Sequence, residues 1–318
     1  MNPDRLNILL IGLGKVGMSY DFKSPKSQVL THSRAIKYWS RRTDTPINVV
    51  GVDINQGTQK PFNTIFKSGE WFRSIDSLNS KRCFDLAIIA TPIDTIAENT
   101  IHACKHFDLK KVVVEKPAAS NMTHLKALIS LPRSESTLIV GFPRPLLPSS
   151  MYLRDQIQAY GKNESWTVDI NYGGSVLNIL SHFLNLVEFL IEPFKLESFS
   201  FNSEEHLNAT FKSDTGRLLI HTRQYSKLND EKNEIHIQGP ISISYTNSGR
   251  KIKIINSGVL SKFASERLDS HQEISQMIGN FGNKYLNWAS TGEETHFTHL
   301  SSPSLAETIR LAEAINVR

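Results

Sequence analysis

Cysteine is nearly missing from this chain: Cys83 and Cys104 are the only two in 318 residues. A secreted domain stapled by bridges is excluded on that count, and two thiols fit a reducing compartment such as the cytoplasm. Long apolar runs are missing too. No stretch approaches the ~20 residues needed to cross a bilayer, and the longest candidate, residues 176–191, is interrupted by Asn178, His182, Asn185 and Glu188. The run Ile8-Leu9-Leu10-Ile11 after Arg5 is too short for a secretory signal, so it is read as a first strand. Charge of one sign is also scarce, with 36 Lys and Arg against 31 Asp and Glu for a net +5. Local clusters such as Arg41-Arg42 are too small for the basic stripe a nucleic-acid surface needs. Neither nucleic acid nor membrane is therefore expected as a partner, and the mild positive balance suits an anionic substrate. No grouping of His, Cys and Asp is read at ligand spacing, so no metal is expected.

What is present is the mixture of a soluble globular protein, 39% hydrophobic and 21% charged, in a length that allows two domains. Short apolar runs at 6–11, 49–53, 85–90, 111–114 and 137–141 alternate with helical patterns, with a further short strand at 70–73. That is the rhythm of βαβ units and a parallel sheet. His32, Ala35, Ile36 and Trp39 form one helix face with Thr31 as cap. Helices are also expected at 95–106 and at 121–131, the latter capped by Ser120. After Gly141 the pattern changes. Three prolines at 143, 145 and 148 mark a boundary, and beyond it come an alternating strand at 166–172, a helix at 176–191 and five or six strands between 196 and 255. Helices at 271–288 and 304–315 close the chain. The expected fold is α/β: a doubly wound parallel Rossmann sheet over residues 1–143, then an α+β domain with a large, mostly antiparallel sheet over residues 144–318.

Gly12-Leu13-Gly14-Lys15-Val16-Gly17 is a complete G-x-G-x-x-G directly after the first strand. Its first glycine makes a tight turn, its second lets backbone approach a pyrophosphate, and its third lets helix and sheet pack closely. Asp53, at the end of the second strand, is the acid expected on the adenosine ribose. It stands 41 positions after Gly12 rather than the usual ~20, and an inserted loop at 20–30 accounts for the excess. No arginine follows Asp53, so NAD is preferred over NADP.

Two motifs carry chemistry. Glu115-Lys116-Pro117 follows one strand and Thr91-Pro92 follows another, both at carboxyl ends where open α/β sheets bind ligands. Further on, Asn178, His182 and Asn185 recur at spacings of four and three, so on a regular helix they share a face. An imidazole, with a reference pKa near ~6.5, can exchange a proton with a carbinol oxygen near neutrality, and a cationic lysine can steady the developing alkoxide. His32, His206, His221, His236 and His271 are left as structural or surface residues.

Taken in order, the glycine loop, Thr91-Pro92, Glu115-Lys116-Pro117, the Gly141-Phe142 strand end leading to Arg144, and the Gly173-Gly174 to His182 helix resemble the Gfo/Idh/MocA family. This is the family of glucose–fructose oxidoreductase and inositol dehydrogenase, and the resemblance spans nearly the whole chain. It implies an NAD(P)-dependent dehydrogenase or reductase acting on sugar CH-OH groups. Lys116 and His182 would be its catalytic residues. Gly12, Leu13, Gly14, Lys15, Val16, Gly17, Asp53, Thr91, Pro92, Glu115 and Lys116 would hold the cofactor. Lys116, Arg144, Tyr172, Asn178, His182 and Asn185 would hold the sugar. Asn178 and Asn185 stand where many members carry aspartate, and the Asn-x-x-Ser-His-Phe variant resembles a branch tied to surface-polysaccharide and nucleotide-sugar chemistry. The resemblance also implies a cytoplasmic homo-oligomer, dimer or tetramer. A free polyol or aldose dehydrogenase and a non-catalytic NAD-binding regulator are the alternatives.

Overall fold

The computed structural model describes residues 5–22, 24–25, 28–132, 137–161, 163–202, 206–225, 233–246, 251–256, 259–263, 270–292 and 297–316. The chain divides into two compact units, residues 1–143 with 270–300, and residues 144–269 with 301–318. The first division falls at the expected proline-rich boundary. The return of residues 270–300 to the first unit has no counterpart in a single-boundary reading. The long helix Ser270–Thr291 packs on the helix His32–Thr43, and the short strand Thr298–His299 closes a sheet edge.

In the first unit the strands are β1 (Leu6–Ile11), β2 (Ile47–Val52), β3 (Glu70–Phe72), β4 (Cys83–Phe84), β5 (Leu86–Ile89), β6 (Asp108–Leu109), β7 (Val112–Glu115) and β8 (Leu138–Gly141). The main sheet runs β8-β7-β5-β1-β2-β3, all parallel, with Thr298–His299 antiparallel at the β8 edge. That is the doubly wound order, with its reversal between β1 and β5. The central strands are apolar throughout because both faces are covered: Leu6, Ile8, Leu9, Leu10 and all of β5 are inaccessible. Helices α1 (His32–Thr43), α2 (Gln59–Ile65), α3 (Ile93–His106) and α4 (Met122–Ile129) cross between strands. The Thr31 side chain accepts from Arg34 N as the expected cap of α1. At α4 the cap is Asn121 rather than Ser120, because the Asn121 carbonyl oxygen reaches the N–H of His124.

In the second unit β9 (Trp166–Gly173) lies inside an eight-stranded sheet with β10 (Lys195–Phe201), β11 (Leu207–Lys212), β12 (Leu218–Tyr225), β13 (Glu234–Gln238), β14 (Ile241–Thr246), β15 (Lys251–Asn256) and β16 (Val259–Phe263). The order is β10-β11-β12-β9-β13-β14-β15-β16, and every neighbouring pair is antiparallel except β12 with β9. The expected mostly antiparallel sheet is found, with β16 beyond the strands anticipated. Period-two alternation buries Trp166, Val168, Ile170 and Tyr172 of β9, together with Ile220, Phe211, Ile235 and Ile243 of its neighbours. The helices Ser181–Leu190 and Pro303–Asn316 supply Phe183, Leu184, Val187 and Leu311 to the same core. The helix Pro148–Gln158, which was not anticipated, begins at the last proline of the expected boundary. Its proline sits at the first helical position, where a missing N–H costs nothing.

Candidate functional site

The residues expected to hold a dinucleotide meet at the carboxyl ends of four neighbouring strands of the first unit. Register explains the meeting: Ile11 stands level with Val52 on one side and Ile89 on the other, and Ile89 with Val114. The next residue of each strand is thus Gly12, Asp53, Ala90 or Glu115. Gly12 has φ +88°, and a Cβ there would lie 2.6 Å from the Ala90 carbonyl. At Gly17 a Cβ would lie 1.9 Å from Gly12 O, so neither position tolerates a side chain. Gly14 differs: it is exposed and nothing stands within 4 Å of an added Cβ. Leu13 is buried beneath it, and Lys15 and Val16 open a single π-helical turn, Lys15–Ser19. The helix expected with Thr31 as its cap lies beyond that turn. It begins at His32, after the inserted loop, which Asp21 clasps from inside. Asp21 is 1% exposed and accepts from Leu30 N at 2.8 Å and from the Thr31 hydroxyl at 2.9 Å.

Asp53 is tied down on both oxygens. Leu13 N donates to Oδ2 at 2.7 Å and Asn55 N to Oδ1 at 2.8 Å. A carboxylate offers about four acceptor sites, so these bonds orient Asp53 while leaving capacity for ribose hydroxyls. Ile54 beside it is 83% exposed, an apolar platform next to a polar anchor. Thr91 follows β5, its hydroxyl accepting from Asn99 Nδ2 at 3.3 Å, and Pro92 caps α3.

Glu115 is the surprise of this edge. Its Oε1 lies 2.9 Å from His32 Nε2, and His32 Nδ1 lies 2.9 Å from the Tyr285 hydroxyl. A carboxylate can only accept, so Nε2 donates its N–H to Glu115, and the Tyr285 hydroxyl partners Nδ1 on the other side of the ring. His32 is 2% exposed, and burial with the Glu115 charge pushes the Tyr285 phenol well above its usual range. His32 is therefore neither a surface residue nor an isolated core one. Its signal in the sequence was a titratable residue at the head of an otherwise apolar helix face. Gly141 belongs to the same packing, since a Cβ there would stand 3.1 Å from Glu115 Oε1. Lys116 follows, half-buried, and the turn closes with Ala118 N on Glu115 O at 3.0 Å and with Ala118 in the left-handed region at φ +64°. A non-glycine residue there costs on the order of 1–3 kcal/mol, a cost that concentrates at functional sites.

In the second unit the expected substrate residues are graded from surface to core. The helix starts with a π-helical turn, Val176–Leu180, capped by Ser175, before Ser181–Leu190 becomes α-helical. A spacing of four is close to one full turn in either form, so what separates these residues is depth. Asn178 is exposed, His182 is half-buried with Nδ1 turned inward, and Asn185 is 4% exposed with Nδ2 on the Ser304 hydroxyl at 3.5 Å. The three residues thus differ in depth along the helix. Arg144 is half-buried and stacks on the Phe183 ring at 4.9 Å. Tyr172 is fully buried, its hydroxyl has no hydrogen-bond partner among the described residues, and burial raises its pKa. The inward parity of β9 thus makes Tyr172 a core residue rather than an open substrate contact.

No protein-family model matches the chain, and no curated protein matches it. Solved structures do. A levoglucosan dehydrogenase in complex with NADH and L-sorbose is similar over 98% of this chain and 96% of its own, at TM-score 0.75 and 13% identity. A WlbA dehydrogenase from Chromobacterium violaceum in complex with NADH and UDP-GlcNAcA is similar over 100% and 94%, at TM-score 0.71 and 15% identity. An oxidoreductase from Agrobacterium radiobacter, in complex with NAD+, L-tartaric acid and magnesium, is similar over 98% and 97%, at TM-score 0.69 and 15% identity. These likenesses bear out the fold implied by the motif resemblance: a Rossmann unit joined to a β-rich unit, as in those dehydrogenases.

Proposed function

We propose that the chain is an NAD-dependent oxidoreductase acting on a secondary hydroxyl or keto carbon of a sugar, with a nucleotide-linked sugar as substrate. The observation that carries this reading is the strand-end shelf of the first unit. Its glycine turn is open at Gly14, its oriented Asp53 carboxylate lies next in line, and Glu115-Lys116 stands across the point where strand order reverses. NAD, when bound, supplies the acceptor or donor of the hydride. Asp53 would take the adenosine ribose hydroxyls and oppose a 2′-phosphate by like charge, which favours NAD over NADP. Gly14 would let backbone approach the pyrophosphate. Lys116 would hydrogen-bond the reacting sugar oxygen and stabilise negative charge on it, and His182 would accept its proton in oxidation or return one in reduction. Arg144 and Asn178 would contact the sugar. Residues 1–143 with 270–300 would form the cofactor domain, and residues 144–269 with 301–318 the substrate domain.

A nucleotide sugar is favoured because the WlbA relative is solved with UDP-GlcNAcA, and because a chain of net charge +5 suits an anionic substrate. The two free cysteines accord with a cytoplasmic protein, and the resemblance assigns homo-oligomer formation to the large sheet. Light scattering that returns a monomer mass would reject the oligomer. Function is tested by thermal unfolding with NADH against a panel of nucleotide sugars, followed by absorbance turnover assays on each stabilising ligand. Stabilisation by NADH and by a nucleotide sugar, with nicotinamide oxidation or reduction, is the expected result. NADH binding without turnover on any sugar would leave a regulatory protein instead, and absence of NADH binding would reject the whole reading.

A further inference from the structure

We propose that Asp76, His102 and His106 form a binding site for a divalent transition-metal ion of the Zn2+ type on the first unit. His102 and His106 stand four residues apart in the last turns of α3, so they lie on one helical face. Their ring centroids are 5.7 Å apart with planes at 87°. Asp76 comes from a different segment, the single 3-10 turn Ile75–Ser77 between β3 and β4. One ligating atom from each of the three lies within 4.8 Å of the others. Pro92, at the nucleotide-facing end of α3, is about 15 Å of helix away from His102, so this cluster is distinct from the strand-end shelf.

A surface carboxylate paired with one histidine would be ordinary, and His102 Nε2 does lie 3.0 Å from Asp76 Oδ1. What exceeds an ion pair is the second imidazole and the way it is held. His106 Nε2 lies 3.2 Å from the Leu78 carbonyl, which can only accept, so Nε2 donates its N–H and Nδ1 is the nitrogen left for an ion. A ring N–H given to a backbone carbonyl is the usual outer support of a ligating histidine. The Phe107 ring packs edge-on to His106 at 4.6 Å and limits its rotation. Asp76 is oriented as well, its Oδ2 lying 3.1 Å from the Ser74 hydroxyl.

Two imidazoles and one carboxylate are a donor set for Zn2+, Co2+, Ni2+ or Cu2+, with further positions open to water. Mg2+ and Ca2+ prefer oxygen alone. Cys104, between the two histidines in the helix, is no competitor. A residue two positions from each histidine points to a different side of the helix. The Asp76 and His102 side chains are 70% and 42% exposed, so an ion can reach the cluster from solvent. Once seated it would tie the end of α3 to residues 74–78 and brace that edge of the sheet.

The test uses the full chain, stripped with chelator and titrated with Zn2+ by calorimetry and with Co2+ by visible absorption. One equivalent is expected to bind, raising the unfolding midpoint by about 5 °C at a hundredfold excess of free Zn2+ over Kd. His102→Ala and His106→Ala should each weaken binding by at least about tenfold, and Asp76→Asn by less. His124→Ala, on α4, should leave it unchanged, and all four positions lie outside the apolar core, so folding is checked by circular dichroism. Hydrogen exchange should slow at 75–79 and 102–106 on metal addition. Binding that is equal in the parent and the His102→Ala/His106→Ala pair, or that is no tighter for Zn2+ than for Mg2+, would overturn the site and leave an ordinary ion pair.

Discussion

At the strand ends of the first unit, the groups that would meet a ligand are fastened to one another. The His helix of the second unit instead carries its polar residues along a gradient from solvent to core. Leu13 N holds Asp53, Val52 O holds Gly12 N, and His32, itself held by Tyr285, holds Glu115. On the other side Asn178 is exposed, His182 half-buried and Asn185 inside, along a helix whose first turn is π-helical. The first arrangement is a shelf set in advance by strand register, and its loss should be felt in folding. The second depends on the phase of one helix, and its loss should be felt in chemistry.

The largest effect is expected where the shelf is most crowded. Gly17→Ala places a methyl group against Gly12 O, backbone against backbone, and should cost about 3 kcal/mol or more in urea unfolding. Gly14→Ala meets no atom within 4 Å and should change stability by less than about 0.5 kcal/mol while weakening NADH binding. Equal stability losses at the two positions would show that the loop is not organised as described. Next in size, Lys116→Met and His182→Ala should each cut turnover at least about 100-fold, with NADH affinity nearly intact. If NADH affinity collapses in either variant, that residue supports the fold rather than the reaction. Smaller again is the network behind Glu115. His32→Leu strands a phenol and a carboxylate and should destabilise by about 1–3 kcal/mol. Tyr285→Phe, which removes only the outer hydrogen-bond partner, should cost about 1 kcal/mol. A neutral His32→Leu would mean that the two bonds do not form in solution.

The same contrast explains what could be read from residue order. Runs buried on both faces, such as Leu86–Ile89, and alternating ones, such as Trp166–Gly173, declare themselves through period, and their strands were found close to where they were expected. Glycines 12 and 17 were legible because the close approaches they allow are local. Long-range pairings were not. Nothing near His32 in the chain points to Glu115 or to Tyr285, 83 and 253 positions away. His102 and His106 have visible helical spacing, yet Asp76 joins them only through the fold. The spacing of Asn178, His182 and Asn185 was visible, but their different depths, from exposed to buried, come from the packing around the helix. The helix Pro148–Gln158 was hidden because proline at a first helical position looks the same in sequence as proline in a linker.

Tyr172 offers the finest test of the contrast, because its expected effect at neutral pH is close to nothing. The side chain is wholly buried, and its hydroxyl lacks a hydrogen-bond partner among the described residues. Tyr172→Phe therefore removes a desolvated group without breaking a bond, and should be neutral or stabilising by up to about 1 kcal/mol at pH 7. Alkaline pH should separate parent from variant. Burial raises the Tyr172 pKa above its ordinary value, so below about pH 10 both folded and unfolded chains hold the proton and the full stability is present. As pH rises further the unfolded chain releases its proton while the folded chain keeps it. The unfolded state then binds fewer protons, and stability falls by up to about 1.4 kcal/mol per pH unit for this one group. The variant should lose that part of the decline and keep the part due to Tyr285, whose pKa is raised in the same direction. Urea unfolding of both proteins between pH 8 and about 11 measures the difference directly. Parallel curves, joined to a raised KM for the sugar at neutral pH, would return Tyr172 to the substrate and show that the second unit opens its core to bind.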